Sequence, residues 1–288
     1  MHRFWPRYIA PLIDAAAPQR VLEIGAEFGW NTRVLLERGR RAGFFLDIVD
    51  PAPHPAFHEE LAKYDGGYAF HAAKSLDVIS LLPAADFVLL DGDHNWYTVY
   101  NELQALFLRA HVAGTAPPIV VMHDCAWPYA RRDMYYDVNA ILEGERHAHA
   151  RRGFVPGQSA LNEKGINGHF ANALHEGGPR NGVLTAAEDF LAACGQDVLF
   201  RRLPFFNGLG ILVPAARRSN AVDSTVEGFF TAESLLETCE ALERDGMNVR
   251  VDLAVCRQEL TRRTDALMRT RELLLRTQQE LEDTRAAV

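Results

Sequence analysis

The sequence predicts an α/β protein built on a seven-stranded, mostly parallel sheet with an antiparallel last strand, followed by a long C-terminal helix. Three observations lead there. Short apolar runs bounded by turn residues alternate with helical stretches, the mark of βαβ units. The last two runs lie too close together to hold a crossover helix, so they pair antiparallel. Residues 249–288 contain neither glycine nor proline and read as one continuous helix.

The strand candidates are Arg20–Ile24, Phe44–Val49, Tyr68–His71, Phe87–Leu90, Ile119–Met122, Val198–Arg202 and Gly208–Val213. Helical stretches such as Thr32–Arg40 and Tyr97–Ala110 lie between the early ones. Phe87-Val88-Leu89-Leu90 and Ile119-Val120-Val121-Met122 are apolar without alternation, as central strands buried on both faces require. The arrangement is Rossmann-like. Residues 1–215 form the expected main domain, 216–248 a linker with short helices, and 249–288 the long helix. Within the main domain, 126–190 is rich in Gly, Arg, Asn and His and carries several turn signals. It reads as an insertion with short helices inside, leaving the sheet at its carboxyl end, where open α/β sheets place their ligands.

Composition sets bounds on function. The 288 residues are 48% hydrophobic and 24% charged, so whole-chain disorder is excluded. A formal net charge of −8 argues against nucleic-acid binding through a broad basic face. No apolar run approaches the ~20 residues that span a bilayer, so no membrane partner is expected. Met-His-Arg-Phe-Trp-Pro-Arg at the N-terminus lacks a following apolar segment and does not read as a signal peptide. Four widely spaced cysteines without a CxxC pair suggest neither a zinc ribbon nor a disulfide framework. A cytoplasmic protein is expected.

The strongest motif is Glu23-Ile24-Gly25-Ala26-Glu27-Phe28-Gly29, in which a strand runs into a glycine turn and then a helix. Gly25 allows a tight turn and close approach of a ligand, and Gly29 does the same near the helix start. Asn31 or Thr32 can cap that helix. The spacing is Gly-x-x-x-Gly, so the Gly-x-Gly-x-x-Gly fingerprint that seats a dinucleotide pyrophosphate is absent.

In its ordered motifs the chain resembles the class I methyltransferases that use S-adenosylmethionine. Glu23-x-Gly25-x-x-x-Gly29 matches their first motif, and Asp50 stands after the second strand, where that family binds the ribose hydroxyls. Lys74-Ser75 lies where it contacts adenine, and Asp91 ends the fourth strand. Asp91-Gly92-Asp93-His94 also resembles a bacterial group related to macrolide-sugar O-methyltransferases of the mycinamicin and macrocin type and to cephalosporin-modifying enzymes. That resemblance implies a sugar or glycosylated small molecule as acceptor, natural product or surface polysaccharide, methylated on a hydroxyl. It also implies His94 as general base and Mg²⁺ held by Asp91 and Asp124. Here His123 stands where those relatives have Glu.

The chemistry of the residues allows two versions. Asp91 and Asp124 can hold Mg²⁺, whereas His123 suits Mn²⁺, Fe²⁺ or Zn²⁺ better. Without a metal, His94 or His123 can take the hydroxyl proton directly. Taken singly, Asp91 also suits a turn, Asp93 a helix cap and His123 a core position.

Trp127 to Tyr136 combines aromatics with Arg131 and Arg132, suiting a sugar ring with an anionic group or, equally, an aromatic lid with solvated arginines. His169, Asn172, His175 and Arg180 are further contact candidates, with Asn172 and His175 on one face if their segment is helical. Leu253, Leu260, Leu267, Leu274 and Leu281 recur every seven residues, but no apolar companion position accompanies them. A weak coiled coil is expected, serving a homodimer or a pathway partner. Rival readings are a dinucleotide-dependent or nucleotide-sugar oxidoreductase, disfavoured by the missing fingerprint, and a non-catalytic scaffold acting through the last helix.

Overall fold

The protein is described here by a computed structural model covering residues 1–287. The chain divides into two compact units, Met1–Glu227 and Gly228–Val288.

In the first unit, a short helical stretch over residues 2–9 runs into α1 (Ala10–Ala16). Strands and helices then alternate: β1 (Arg20–Ile24), α2 (Trp30–Ala42), β2 (Phe45–Val49), α3 (Pro55–Leu61), β3 (Tyr68–His71), α4 (Ser75–Val78), β4 (Phe87–Leu90), α5 (Trp96–Val112) and β5 (Ile119–His123). A segment with β6 (Met134–Tyr135), β7 (His149–Ala150) and β8 (Ala171–Ala173) leads to α6 (Val183–Ala193). The antiparallel pair β9 (Val198–Leu203) and β10 (Leu209–Pro214) follows, then α7 (Asn220–Gly228). The second unit is mostly α8 (Ala232–Ala286).

The main sheet has the order β3-β2-β1-β4-β5-β10-β9, parallel except for β10, which runs antiparallel to both β5 and β9. All seven expected strands are present, with ends differing by at most one residue. Both faces of the central strands are covered, and all four residues of β4 are buried. Leu22, Val88, Val120 and Met122 pack with Val99, Leu103 and Phe107 of α5 and Val183, Ala187 and Phe190 of α6.

Register decides where the site falls. Ile24 lies beside Val49 and Leu90, and Leu90 lies beside Met122. Gly25, Asp50, Asp91 and His123 therefore emerge together at the carboxyl edge.

Two expectations need correction. The segment 126–190 holds the expected short helices, two 3₁₀ turns at Val138–Ala140 and Glu143–Glu145, but also a small antiparallel sheet, β6-β8-β7, that was not expected, and it runs into α6. Asn172 sits in β8, so it shares no helix face with His175. Its buried amide donates to the carbonyls of Arg152 and Asn167, a long-range pairing that helical spacing does not reveal. The long helix begins at Ala232, not 249, with Thr231 as its cap accepting from the Ser234 amide. Gly246 lies inside it, a glycine that a 55-residue helix accommodates at roughly 1 kcal/mol. Among the described residues no helix is long and apolar enough to cross a membrane.

Gly25 shows how tightly the sheet edge is assembled. Its φ is +88°, and a Cβ there would lie 2.2 Å from the Asp91 carbonyl oxygen and 2.7 Å from Gly92 Cα. The glycine is thus demanded by the neighbouring loop as well as by the turn. Gly25→Ala is expected to destabilise the fold by roughly 2–4 kcal/mol, combining left-handed strain with overpacking. Gly43→Ala, with φ +84° but nothing within 4 Å of the added carbon, should cost only about 1–2 kcal/mol. Denaturant midpoints of the two variants measure the difference.

Candidate active site

The glycine turn is shaped by a carboxylate. Asp50 accepts from the amides of Ala26 (2.9 Å) and Glu27 (3.0 Å) through Oδ2 and of Ala52 (2.8 Å) through Oδ1. Glu27 is held at a φ of +46°. Such charge-assisted bonds to backbone amides fix the loop that joins β1 to α2. Asp50 is buried, and with Oδ2 accepting two bonds its spare acceptor capacity is on Oδ1.

Below the turn, Glu23 is fully buried. The Thr32 hydroxyl donates to its Oε2 at 2.6 Å, and its Oε1 has no hydrogen-bond partner among the described residues. Burial pushes its carboxyl up to about 8, with the Thr32 bond opposing and Asp91 and Asp50 adding to the rise. Asn31 accepts from the Trp5 indole at 2.7 Å. Neither Asn31 nor Thr32 caps α2; the cap is Gly29, in a left-handed conformation with φ +82° and no side chain to offer. The cap falls two or three residues earlier than Asn31 or Thr32, so both lie inside the helix.

Ser75 opens α4, and its hydroxyl donates to the buried Glu102 of α5. Sequence reasoning missed Glu102, because its partner lies 27 residues away. Burial pushes this carboxyl up to about 8, and its Oε2 has no partner among the described residues.

The chemical centre lies between the ends of β4 and β5. Asp124 Oδ2 lies 2.7 Å from His94 Nε2 and 2.9 Å from His123 Nδ1. The same His123 nitrogen is 3.3 Å from Asp91 Oδ1, and the other faces the Phe206 carbonyl at 3.1 Å. A carbonyl only accepts, so His123 Nε2 carries a proton. His94 Nδ1 is buried without a hydrogen-bond partner among the described residues. Its ring lies 5.2 Å from Tyr129 and 5.7 Å from Tyr136. Asp91 is 19% exposed, and the α-amino group of Met1 lies 3.1 Å from its Oδ2. The structure therefore brings Asp91, His94, His123 and Asp124 together as the motifs suggest.

Electrostatics follow from this packing. Burial alone would lower His123, but Asp91 and Asp124 outweigh it and push the imidazole up to about 10. His94 is likewise raised against its burial, chiefly by Asp124. Burial would raise Asp124, but the two imidazoles hold it well below the usual carboxylate range. Asp93 does not cap α5. Asn95 does, accepting from the Thr98 amide, while Asp93 accepts from the Thr98 hydroxyl and the His94 amide.

Asp91 Oδ, His123 Nδ1 and an Asp124 oxygen lie within 4.8 Å of one another, a spacing that can receive a metal ion. The Phe206 carbonyl at His123 Nε2 is the outer contact that a ligating imidazole uses to present its other nitrogen.

The arginines of the insertion are already engaged. Arg131 forms two bonds to Glu188, and Arg132, 1% exposed, donates to the carbonyls of Ala173 and Ser159. Asp133, which sequence reasoning passed over, is fully buried. It accepts from the amides of Trp96 and Gly182 and from the Tyr135 hydroxyl, tying α5 and α6 to the insertion. His175 contributes its carbonyl to Asn181, and Arg180 pairs with Glu145.

Comparison with known proteins follows this geometry. Residues 22–125, from β1 through the end of β5, match a protein family described as a methyltransferase domain. No curated protein matches the chain in sequence. Solved structures with a similar arrangement include an SAH-bound methyltransferase from Podospora anserina (16% identity, 70% of this chain and 75% of that one, TM-score 0.43). A putative caffeoyl-CoA O-methyltransferase from Staphylococcus aureus is another (10%, 72% and 81%, TM-score 0.42). A third is the 1,6-didemethyltoxoflavin-N1-methyltransferase of Burkholderia thailandensis (15%, 71% and 77%, TM-score 0.37).

Buried carboxyls give the site a pH signature. Glu23 and Glu102 have folded values near 8 against an ordinary 4.5. Between those values the native state binds more protons than the unfolded one, so stability is full below about 4.5 and falls as pH rises towards 8. Chemical unfolding of wild type and Glu102→Gln from pH 5 to 8 should show a shallower decline in the variant.

Proposed function

We propose that the protein transfers a methyl group from S-adenosylmethionine to a hydroxyl of a sugar or glycosylated small molecule. The reading is carried by one coincidence: the residues matched to a methyltransferase domain end in the loops that assemble Gly25, Asp50, Asp91, His94 and Asp124. The sugar acceptor is supported by the resemblance of Asp91-Gly92-Asp93-His94 to sugar-modifying relatives.

S-adenosylmethionine supplies an electrophilic methyl on sulfur, and the protein's part is to align a nucleophile and accept its proton. Asp50 and the loop it fixes hold the ribose end. The unpartnered Oε1 of Glu23 suits a buried hydrogen-bond donor such as an ammonium. Asp124 orients His94 through Nε2, leaving Nδ1 to take the acceptor's proton. His123, engaged on both ring nitrogens, positions the two aspartates instead of acting as base.

A divalent metal belongs to the same proposal. Asp91, His123 and Asp124 would hold it only once His123 Nδ1 gives up the proton it shares with the two aspartates, and two oxygens with one imidazole suit Mn²⁺, Fe²⁺ or Zn²⁺ better than Mg²⁺. Such an ion lowers the pKa of a bound hydroxyl. We also propose that α8 mediates self-association or binds a pathway partner through its heptad leucines, which are 48–71% exposed.

Isothermal titration with S-adenosylhomocysteine is expected to give micromolar binding that Asp50→Ala abolishes while far-UV circular dichroism stays unchanged. A folded wild type that fails to bind would sink the proposal. His94→Ala should keep that affinity but lose roughly 10²–10⁴-fold in methyl transfer, measured by mass spectrometry with an accepted glycoside.

A further inference from the structure

The long helix carries more of a seam than its five heptad leucines alone. Because α8 begins at Ala232, their stripe has a companion row, offset by three residues, that opens with Leu235, Leu242, Val249 and Cys256. The row continues through Arg263 and then Thr270, Thr277 and Thr284. Those three threonine hydroxyls donate to the carbonyls of Ala266, Leu273 and Glu280, four residues back. Each hydroxyl is thus satisfied by the helix's own backbone, and its β-branched methyl is left for packing. The leucine row and its companion are positions a and d of a heptad, the pair that meets another helix. Their leucines and Val249 are 39–71% exposed, and Thr238 is the one buried residue among those described in α8.

The flanking charges decide what covers this seam. In the same register the g positions include Asp252, Glu259 and Glu280, and the e positions include Arg257, Arg271 and Arg285. Two parallel copies in register set each g residue against the e residue five places further on in the other chain. Asp252 then meets the partner subunit's Arg257, and Glu280 meets the partner subunit's Arg285. No g–e pair along the helix brings like charges together. An antiparallel pair sets g against g and e against e, acid near acid and arginine near arginine, which is repulsive. The surface therefore complements a parallel copy of itself, as a two-fold pair requires. Arg263, at position d, keeps Glu259 of its own helix as ion pair at 2.8 Å. A single charged layer lowers stability and fixes register. Charged e and g rows also hold the assembly to two strands, because a wider bundle would desolvate them.

We propose that α8 pairs with α8 of a second copy of this chain as a parallel, in-register, two-stranded coiled coil. This rests on the self-association reading of α8 and not on methyl transfer. Corresponding residues face one another across the seam, so Cys256 lies against the partner subunit's Cys256.

The test uses the full chain. Sedimentation equilibrium is expected to give the mass of a dimer at micromolar concentration. In Cys194→Ser/Cys239→Ser protein, where the remaining Cys125 is buried, oxidised glutathione should link two chains through the exposed Cys256. Two thiols become one disulfide there as the glutathione disulfide is reduced to two thiols. The same protein carrying Cys256→Ser and Gln258→Cys, which moves the thiol to the opposite face of the helix, should not link. Asp252→Arg/Glu280→Arg is expected to weaken the dimer about tenfold. Adding Arg257→Asp/Arg285→Asp should restore it, which separates lost charge matching from lost folding. A monomer overturns the proposal together with the self-association reading. A four-chain mass overturns the two-stranded pairing. A dimer that fails to link through Cys256, or that charge reversal leaves intact, overturns the parallel order while self-association stands.

Discussion

Asp124 is a buried carboxylate shared by two imidazoles, and the geometry of the site depends on it. Taking that charge out of water is costly, and it is offset only because His94 and His123 approach one oxygen at 2.7 and 2.9 Å. The residue also adopts a left-handed conformation, φ +59°, at the point where β5 ends. An aspartate tolerates that region better than a branched residue does. The turn brings the carboxylate back between the loops of β4 and β5. Without it, His94 would lose its orienting partner, and His123 would face Asp91 alone.

The insertion is held by a second set of buried polar groups. Asp133 satisfies the Trp96 amide, at the start of α5, and the Gly182 amide, which precedes α6, and these helix-terminal donors would otherwise be orphaned. Arg132 meets two backbone carbonyls of the same segment. An arginine and an aspartate adjacent in sequence look like surface charge, yet here they are buried and add polar anchors to the small apolar clusters around Phe154 and Ile141. Gly182 itself has no room for a side chain, since a Cβ would lie 2.5 Å from the Ala130 carbonyl oxygen.

These features explain what could be read in the sequence. Strands such as β1 and β4 were legible because burial on both faces leaves an apolar run between turn residues. The clustering of Asp91, His94, His123 and Asp124 was legible because parallel strands bring their carboxyl ends to one edge. What escaped depends on pairing across long separations: Glu102 with Ser75, Asp133 with Gly182, and the Phe206 carbonyl with His123. The antiparallel β6-β8-β7 sheet escaped for a related reason. Its strands are two or three residues long, too short to show alternation, and Asn172 in its middle strand is polar yet buried. The start of α8 was missed because Gly246 and the polar stretch before it weaken the helical pattern locally, although a capping threonine at 231 was present.

The two sides of the site are built by different physics, and this bears on how its specificity can vary. On one side, the position of the glycine turn is set by sheet register, by the Asp50 bonds to backbone amides and by the close approach of Gly25 to Asp91. Few substitutions there leave the backbone in place. On the other side, Asp133, Arg132 and the Tyr129–Met134–Phe154 cluster, against which Phe170 packs, anchor the insertion from within, and Tyr136 and His169 lie exposed on it. Replacing those rings alters what that side can contact while the buried anchors keep the segment folded. The Asp124–His94 pair stands at the boundary between the two, fixed at the end of the sheet and facing Tyr129 and Tyr136 of the insertion. His94 is thus oriented by a carboxylate at the end of the sheet, while the rings it faces are carried by the insertion.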